Sequence, residues 1–251
     1  MFKSKLITRL IIALQFLTRL PIKFRVDFTP KNMGKSMIYY PVIGTLIGFI
    51  LLALNSFFAI FWSNLAVNAL ILVSLIIITG GLHLDGYMDT IDGIFSGRNR
   101  KKILDIMRDS RVGAHGVTGA FILLLLKFVF LTEINNQIQL EALLLMPTFS
   151  RWAMVYASAL YPYARKGEGL GKAHAEFVGK KEVLFTSLWT VILAGLLLSF
   201  NGILIFIFVW IATVLIIKVM TNKIKGLTGD CYGAINELIE VFSLLILTLI
   251  Y

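Results

Sequence analysis

Long apolar runs separated by short polar connections dominate the chain. Seven runs approach the roughly 20 residues that a helix needs to cross a bilayer. They cover residues 37–61, 65–84, 117–133, 139–160, 183–200, 202–221 and 232–250. Residues 1–20 carry basic residues on one face and apolar residues on the other, which is typical of an interfacial amphipathic helix, although a short first span stays open. The pattern predicts an all-α, polytopic integral membrane helix bundle with about 6–7 transmembrane helices and an N-terminal interfacial helix.

The composition supports a membrane protein. Of 251 residues, 58% are hydrophobic and 15% are charged, whereas soluble domains carry roughly 25% charged residues. The mean hydropathy is +0.84. No polar linker divides the chain, so residues 1–251 are expected to form a single membrane-embedded domain. One cysteine excludes an internal disulfide and any cysteine-rich metal site.

Lys and Arg residues are concentrated in alternate connections between the predicted spans. Of 24 Lys and Arg residues, 22 fall in the N-terminal 36 residues or in the segments 85–116, 165–182 and 218–230. The alternating connections carry none. By the positive-inside rule, the N-terminus and the basic loops are cytoplasmic, which predicts a multi-pass protein of the cell membrane. This distribution explains the net charge of +10 without nucleic acid.

An acidic stretch provides the candidate chemistry. Asp85, Asp89 and Asp92 recur at i, i+4 and i+7 and therefore share one helical face. Three carboxylates on one face repel each other, and Mg²⁺, which prefers oxygen ligands and binds substrate phosphates, would compensate their charge. We predict that these aspartates bind a hard divalent cation, Mg²⁺ or Mn²⁺. The alternative is a solvated helix face paired with nearby basic residues.

Basic side chains accompany the acids. Arg98, Arg108 and Arg111 are suited to phosphate oxygens. His83 is predicted to form a hydrogen bond or contact a phosphate rather than to bind metal, because the excess of carboxylates favours a hard cation.

Further polar groups occur near other span ends. Arg151 is either a substrate contact inside the bundle or a side chain that extends to the interface. The glycine-rich loop 161–171 either covers a substrate or is a plain connection. Asp230 and Glu237 lie seven residues apart at the start of the last span, and Glu240 follows.

Several motifs together resemble the cobalamin synthase family, the membrane-bound adenosylcobinamide-GDP ribazoletransferases. They extend over nearly the whole chain, from residue 16 to residue 237. The matching stretches are Phe16-Leu-Thr-Arg-Leu-Pro21, Tyr40-Pro-Val-Ile-Gly44, Gly80-Gly-Leu-His-Leu-Asp85-Gly with Asp89 and Asp92, Ile106-Met-Arg-Asp109-Ser-Arg111-Val-Gly113, Ser150-Arg151-Trp152, Tyr161-Pro-Tyr-Ala-Arg165 with Glu168-Gly-Leu-Gly171, and Thr228-Gly-Asp230 with Gly233-Ala and Glu237.

The resemblance implies an enzyme. It would transfer the adenosylcobinamide-phosphate moiety of adenosylcobinamide-GDP to α-ribazole or its 5′-phosphate, release GMP, and depend on Mg²⁺. On this reading Asp109 is the catalytic base or a further ligand. The predicted substrate-binding residues are His83, Arg98, Arg108, Arg111, Arg151, Arg165, Asp230 and Glu237.

Two other readings compete. A CDP-alcohol phosphotransferase of lipid synthesis also combines clustered aspartates with a membrane bundle. Asp89-Thr-Ile-Asp92-Gly fits the first half of that motif, but Ile106, Ser110 and Ala114 replace the glycine and two aspartates of its second half. A divalent-cation transporter would place its acids near mid-membrane, whereas these are predicted at a span end among arginines.

Overall fold

The structure, a computed structural model, describes residues 5–166 and 170–251. Part of the predicted substrate-covering loop, Glu168 included, lies outside the described residues, as does Lys3. The regular secondary structure of the described residues is helical, with one isolated β-bridge between Tyr163 and Leu227. The helices are α1 (Lys5–Leu17), α2 (Pro30–Ser36), α3 (Tyr40–Phe58), α4 (Asn64–Thr79), α5 (Leu82–Phe95), α6 (Arg100–Ile106), α7 (Ala114–Glu133), α8 (Gln139–Leu160), α9 (Leu170–Phe177), α10 (Lys180–Ile224) and α11 (Gly229–Ile250).

Helix α8 forms the centre of the bundle and packs against α3, α10 and α11. Gly44 and Gly48, one turn apart on α3, allow the closest approach. A Cβ atom at Gly44 would lie 2.3 Å from the Pro147 carbonyl oxygen, and one at Gly48 would lie 2.7 Å from the Leu143 oxygen. Small residues four apart let helix backbones meet, which is a common basis of helix packing in membranes.

The all-α membrane bundle predicted from the sequence is confirmed, but fewer helices qualify as spans. Within the described residues, length and apolar composition admit four helical segments as spans, or five if α4 and α5, which meet at a 90° bend, count as one. The prediction was about 6–7. One source of the difference is α8, which contains Glu141 and Arg151 and is buried among its neighbours along most of its length.

The second reason why fewer spans are counted than predicted is α10, whose 45 residues contain a chain reversal. Ser199 has non-helical angles, with φ 52° and ψ −132°. A Cβ atom at Gly202 would lie 2.0 Å from the carbonyl oxygen of Ala194, although eight residues of straight helix would separate them by about 12 Å. Helix α10 is therefore a hairpin of two arms, and its arms match the predicted spans 183–200 and 202–221.

The basic connections meet at one end of the bundle. The Arg100 guanidinium donates hydrogen bonds to the carbonyl oxygens of Ile224 (2.7 Å) and Ala164 (2.8 Å), which belong to two other basic connections. Lys35 pairs with Glu182 at 2.6 Å. We call this the cation-rich end.

The remaining connections meet at the opposite end. The Asn64 amide donates to Asn136 at 3.4 Å, and the Asn201 amide donates to the Tyr251 hydroxyl at 3.1 Å. The charge alternation in the sequence therefore corresponds to two physically separate ends.

Helix α1 has 13 residues, too few to cross a bilayer. Its buried side, which includes Ile12 and Leu17, faces α2 and α3, while Leu6 and Ile7 are exposed. This agrees with the predicted non-spanning N-terminal helix. Its position at a membrane surface stays a prediction.

The α10 hairpin gives a stability prediction. Gly202→Ala places a methyl group against the Ala194 carbonyl and should destabilise the protein by about 1–3 kcal/mol, which is read as a lower thermal unfolding midpoint in detergent. Gly195→Ala is the matched control, because its nearest contact would be Ile203 at 3.9 Å. Equal midpoints for the two variants would contradict the hairpin.

Candidate active site at the cation-rich end

A glycine pair sets the direction of α5. Gly80 and Gly81 both have left-handed angles, with φ 65° and 67°, which only glycine adopts readily. They produce the 90° bend between α4 and α5. The Arg19 side chain occupies the space beside Gly80, and its backbone N–H donates to the Ile78 carbonyl at 2.7 Å. The end of α1 is thus held where α5 begins.

Helix α5 then crosses α11 in close contact. A Cβ atom at Gly86 would lie 3.0 Å from the Asp230 Cα, and one at Gly233 would lie 3.0 Å from the His83 carbonyl oxygen. Neither position leaves free room for a side chain. The crossing brings Asp85 of α5 beside Asp230 of α11, although they are 145 residues apart in the chain.

The connection after α8 adds an arginine to this crossing. The Ala164 N–H donates to the Leu227 carbonyl at 2.8 Å, which ties the connection to the segment before α11. Arg165 then pairs with Asp230 at 2.9 Å. Its guanidinium also donates to the Met107 carbonyl at 3.3 Å. Arg165 therefore joins α11 to the segment that follows α6.

These elements enclose a cavity of about 400 Å³. Five of the residues predicted from sequence lie in its lining: His83, Asp85, Arg108, Arg165 and Asp230. Four of these five residues are charged, and Lys166 adds a fifth charge to the lining. We call the five charged residues the charged wall: Asp85, Arg108, Arg165, Lys166 and Asp230. Guanidinium and ammonium groups beside carboxylates suit a ligand that carries phosphate and a divalent cation.

Asp89 lies one turn beyond Asp85 and outside the cavity lining. The strongest charges acting on it are those of Asp230, Asp85 and Asp92, with Arg165 opposing them. Within the described residues, the carboxylates of Asp85 and Asp89 have no hydrogen bond or ion pair. Carboxylates that are crowded together and unpaired favour a cation between them.

No group of three or more His, Cys, Asp and Glu side chains in the described part of the chain is arranged to hold a metal ion. The predicted ligand trio of Asp85, Asp89 and Asp92 therefore does not form a closed site. Magnesium needs only one or two protein carboxylates when substrate phosphates supply other ligands. The donor set of Asp85 and Asp89 is compatible with such a site.

Asp92 has a different role in this geometry. Its two oxygens accept hydrogen bonds from the backbone N–H groups of Gly113 (2.7 Å) and Gly116 (2.8 Å). These amides belong to the N-terminus of α7, where a carboxylate is favoured by the helix dipole. These hydrogen bonds connect Asp92 of α5 to the N-terminus of α7. Metal binding by Asp92 stays a prediction.

Asp109, predicted as the catalytic base or a further metal ligand, lies outside the cavity lining. Arg111 forms a two-point contact with it, with Nε to Oδ1 at 3.0 Å and a second nitrogen to Oδ2 at 2.7 Å. These hydrogen bonds lower the pKa of Asp109 to about 2. A carboxyl group with that pKa is a weak proton acceptor at neutral pH. This arrangement gives no support to the base role, and Arg111 and Arg98 are likewise exposed outside the cavity lining.

Two predicted substrate contacts belong to a buried ion network instead. Arg151 pairs with Glu240, and Lys127 pairs with both Glu237 and Glu240 at 2.5 Å. All four side chains are at most 10% exposed. The network joins α7, α8 and α11, and its two positive and two negative charges cancel. Neither Arg151 nor Glu237 lines the cavity. The structure shows both in helix packing, and their predicted substrate contacts stay predictions.

The sequence carries a signal for this network. Lys127 and Arg151 are the two cations that lie outside the basic segments and inside predicted spans, and Glu237 and Glu240 share a face of the last span. Charged groups inside a bilayer are costly unless they are paired. Pairing these four residues was therefore predictable, although the partners could not be assigned without helix order.

His83 is buried at 3% exposure in the cavity lining. Neither ring nitrogen has a hydrogen-bond partner among the described residues. Buried polar atoms in folded proteins usually have partners, so a free imidazole at a cavity is well suited to contact a ligand.

Sequence reasoning assigned no role to several other lining residues. Phe16 and Tyr163 occur in the motifs quoted above, but neither was singled out. His174 follows the glycine-rich loop on α9 and was not considered, although the chain has only three histidines. Tyr232 likewise received no role. Their contribution depends on how α1, α9 and α11 pack, which the sequence pattern does not specify.

Together these features define a membrane bundle with a charged cavity suited to phosphate-bearing ligands. The chain belongs to the cobalamin-5-phosphate synthase family, whose model matches residues 9–248.

Named relatives agree with this family. The adenosylcobinamide-GDP ribazoletransferase of Clostridium acetobutylicum is 39% identical over 239 residues, which make up 94% of each chain. The enzyme of the same name from Acetivibrio thermocellus is 38% identical over 242 residues, covering 96% of this chain and 98% of that one. The Desulforamulus reducens enzyme of that name is 40% identical over 240 residues, covering 95% of each. No solved structure matches the chain.

The structural role of Asp92 can be tested. Asp92→Asn keeps one oxygen acceptor but loses the charge and one of the two hydrogen bonds to α7. We expect faster hydrogen exchange at the Gly113 and Gly116 amides and a loss of about 1–3 kcal/mol in stability. Asp105→Asn, an exposed change on the neighbouring α6, is the control. Unchanged exchange at both amides in Asp92→Asn would contradict this role.

Proposed function

We propose that this chain is an adenosylcobinamide-GDP ribazoletransferase. It transfers the adenosylcobinamide-phosphate moiety of adenosylcobinamide-GDP to α-ribazole, or to α-ribazole 5′-phosphate, and releases GMP. The products are adenosylcobalamin, or its 5′-phosphate, and the step assembles the nucleotide loop of cobalamin. The observation that carries this proposal is the charged wall, in which Arg165, Asp230 and Asp85 meet at the α5–α11 crossing. The names of the relatives supply the substrates.

The charged wall binds the pyrophosphate. Arg108, Arg165 and Lys166 line the cavity and neutralise the phosphate oxygens through charge-assisted hydrogen bonds. Arg165 is oriented by Asp230 at 2.9 Å and by the Met107 carbonyl. Such an oriented guanidinium stabilises the charge that develops during phosphoryl transfer without further reorganisation.

Asp85 and Asp89 would hold Mg²⁺ at this site, which makes the enzyme magnesium-dependent. When bound, the ion neutralises charge on the pyrophosphate. The support is the pair of unpartnered carboxylates one helical turn apart. Asp230, which is bound to Arg165 and Thr228, positions Arg165.

The reaction replaces a phosphoanhydride bond by a phosphate ester bond. A ribose hydroxyl oxygen of α-ribazole bonds to the phosphorus next to the cobinamide arm. The bond from that phosphorus to the bridging oxygen breaks, and the bridging oxygen leaves with its electron pair on GMP. The hydroxyl proton is released to solvent. His83, buried beside Asp85 with both ring nitrogens free, contacts the polar part of a substrate in the cavity.

We further propose that the protein lies in the cell membrane with the cation-rich end in the cytoplasm. The support is the bias of Lys and Arg to that end. The soluble substrates would then reach the cavity from the cytoplasm, while the exposed apolar faces of α7 and α10 contact lipid.

The reaction class is tested by measuring GMP release from adenosylcobinamide-GDP by the detergent-purified full chain. We expect GMP and a cobalamin product only when α-ribazole and Mg²⁺ are both present, and none in EDTA. GMP release that continues in EDTA would contradict the metal proposal. No release in any condition from folded protein would contradict the transferase proposal.

The metal ligands are tested by Asp89→Asn. Loss of one crowded carboxylate should lower GMP release at least 100-fold and raise the Mg²⁺ concentration required, while the protein still inserts into membranes. Asp105→Asn removes an equal charge from an exposed site on α6 and should retain activity. Wild-type turnover in Asp89→Asn would exclude Asp89 as a ligand.

A further inference from the structure

Part of the cavity lining consists of apolar and aromatic side chains. Phe16 of α1, Leu82 of α5, Met154 of α8 and His174 of α9 belong to it. We call these four residues the apolar wall. They come from four different helices that all reach this cavity, and none of them has a role in the pyrophosphate site proposed above.

Two aromatic rings of this wall are held in fixed orientations. The Phe16 ring packs edge to face against His174, with centroids 5.2 Å apart and an interplanar angle of 76°. The Phe16 ring also stacks on Tyr40, with centroids 6.2 Å apart and an interplanar angle of 18°. The Tyr40 hydroxyl contacts Nε2 of His174 at 3.2 Å. An aromatic surface that is already ordered loses little entropy when a flat ligand binds.

The apolar wall carries no charge at neutral pH. His174 is 3% exposed, and burial lowers its pKa to about 4, so its imidazole is neutral. Phe16, Leu82 and Met154 have no strong hydrogen-bonding group. Within the described residues, this wall thus offers stacking and apolar contact but almost no polar recognition.

The apolar wall directly adjoins the charged wall. Leu82 and Asp85 are three residues apart on α5, which places them one above the other on the same side of the helix. A nucleoside has a similar arrangement, because one sugar separates its base from its reacting hydroxyl. A base on the apolar wall would leave its ribose facing the phosphates on the charged wall.

We propose that the apolar wall binds the aromatic base of α-ribazole. This rests on the proposed function and names the subsite that selects the acceptor. Guanine is a poorer occupant, because its edge carries several donors and acceptors that this wall would leave unpaired. The base of α-ribazole, a benzimidazole, presents a flat and mainly apolar surface that matches the aromatic and apolar character of this wall.

The kinetic test uses Phe16→Leu in the full chain, which keeps apolar volume but removes the ring face. Stacking of a base on an aromatic side chain affects affinity strongly, so we expect KM for α-ribazole to rise about 5- to 20-fold while KM for adenosylcobinamide-GDP stays within twofold. Phe58→Leu, at the opposite end of the bundle, is the matched control and should leave both KM values unchanged.

The outcomes separate the two proposals. No GMP release by the wild-type protein would overturn the proposed function itself. Wild-type release combined with an unchanged KM for α-ribazole in Phe16→Leu would overturn only the base subsite. A rise in KM for adenosylcobinamide-GDP instead would assign the apolar wall to the other substrate.

A second measurement does not depend on activity or on Phe16. Leu82→Cys introduces an accessible thiol into the wall, while the single native cysteine, Cys231, is buried. We expect α-ribazole to slow alkylation of this thiol at least fivefold and GMP to have no such effect. Phe95→Cys, an exposed position at the end of α5, should be unaffected by either ligand. Protection by GMP alone would contradict the proposal.

Discussion

The backbone contact between α5 and α11 is the constraint on which the candidate site depends. Gly86 and Gly233 remove the side chains that would separate the helices. Asp85 and Asp230 consequently share one cavity, and Arg165 reaches Asp230 at 2.9 Å. A larger residue at either glycine would move the carboxylates apart. The spacing of the charged wall is thus set by helix packing rather than by local sequence.

The buried ion network supplies the matching constraint deeper in the bundle. Lys127, Arg151, Glu237 and Glu240 lie almost entirely out of solvent, where an unpaired charge would cost several kcal/mol. Because the four charges cancel only when α7, α8 and α11 are in register, the network favours one arrangement of these helices. Glu237 and Asp230 lie two turns apart on the same helix, α11. The ion network that holds Glu237 in place therefore also fixes the position of Asp230 in the charged wall. This constraint gives a reason why an otherwise apolar bundle contains four buried charged side chains.

Sequence reasoning succeeded where local pattern determines the outcome. Apolar periodicity predicted the helices, and charge alternation predicted which connections meet at one end. It was less successful where the result depends on contacts between distant segments. The i, i+4, i+7 spacing placed Asp85, Asp89 and Asp92 on one face, but it could not reveal that backbone amides of α7 occupy the Asp92 oxygens. Arg151 in its span was recognised as unusual, yet its partner Glu240 follows 89 residues later.

The residues of the apolar wall show the same limit. Phe16, His174 and Met154 look like ordinary packing positions in the sequence, and only the meeting of α1, α8 and α9 makes them a wall of the cavity. Predicting such a wall requires the order and tilt of helices, which hydropathy does not encode. The charged residues were easier to identify because charge is rare in an apolar chain.

The central claim is that the charged wall supports attack on the phosphorus next to the cobinamide arm. The most direct measurement follows two samples of adenosylcobinamide-GDP, each labelled with ³²P at one phosphate, through a single turnover with α-ribazole. The account predicts that label on the cobinamide side appears in the cobalamin product and label on the guanosine side appears in GMP. Label from the cobinamide-side phosphate in a guanosine diphosphate would show attack elsewhere and contradict the account.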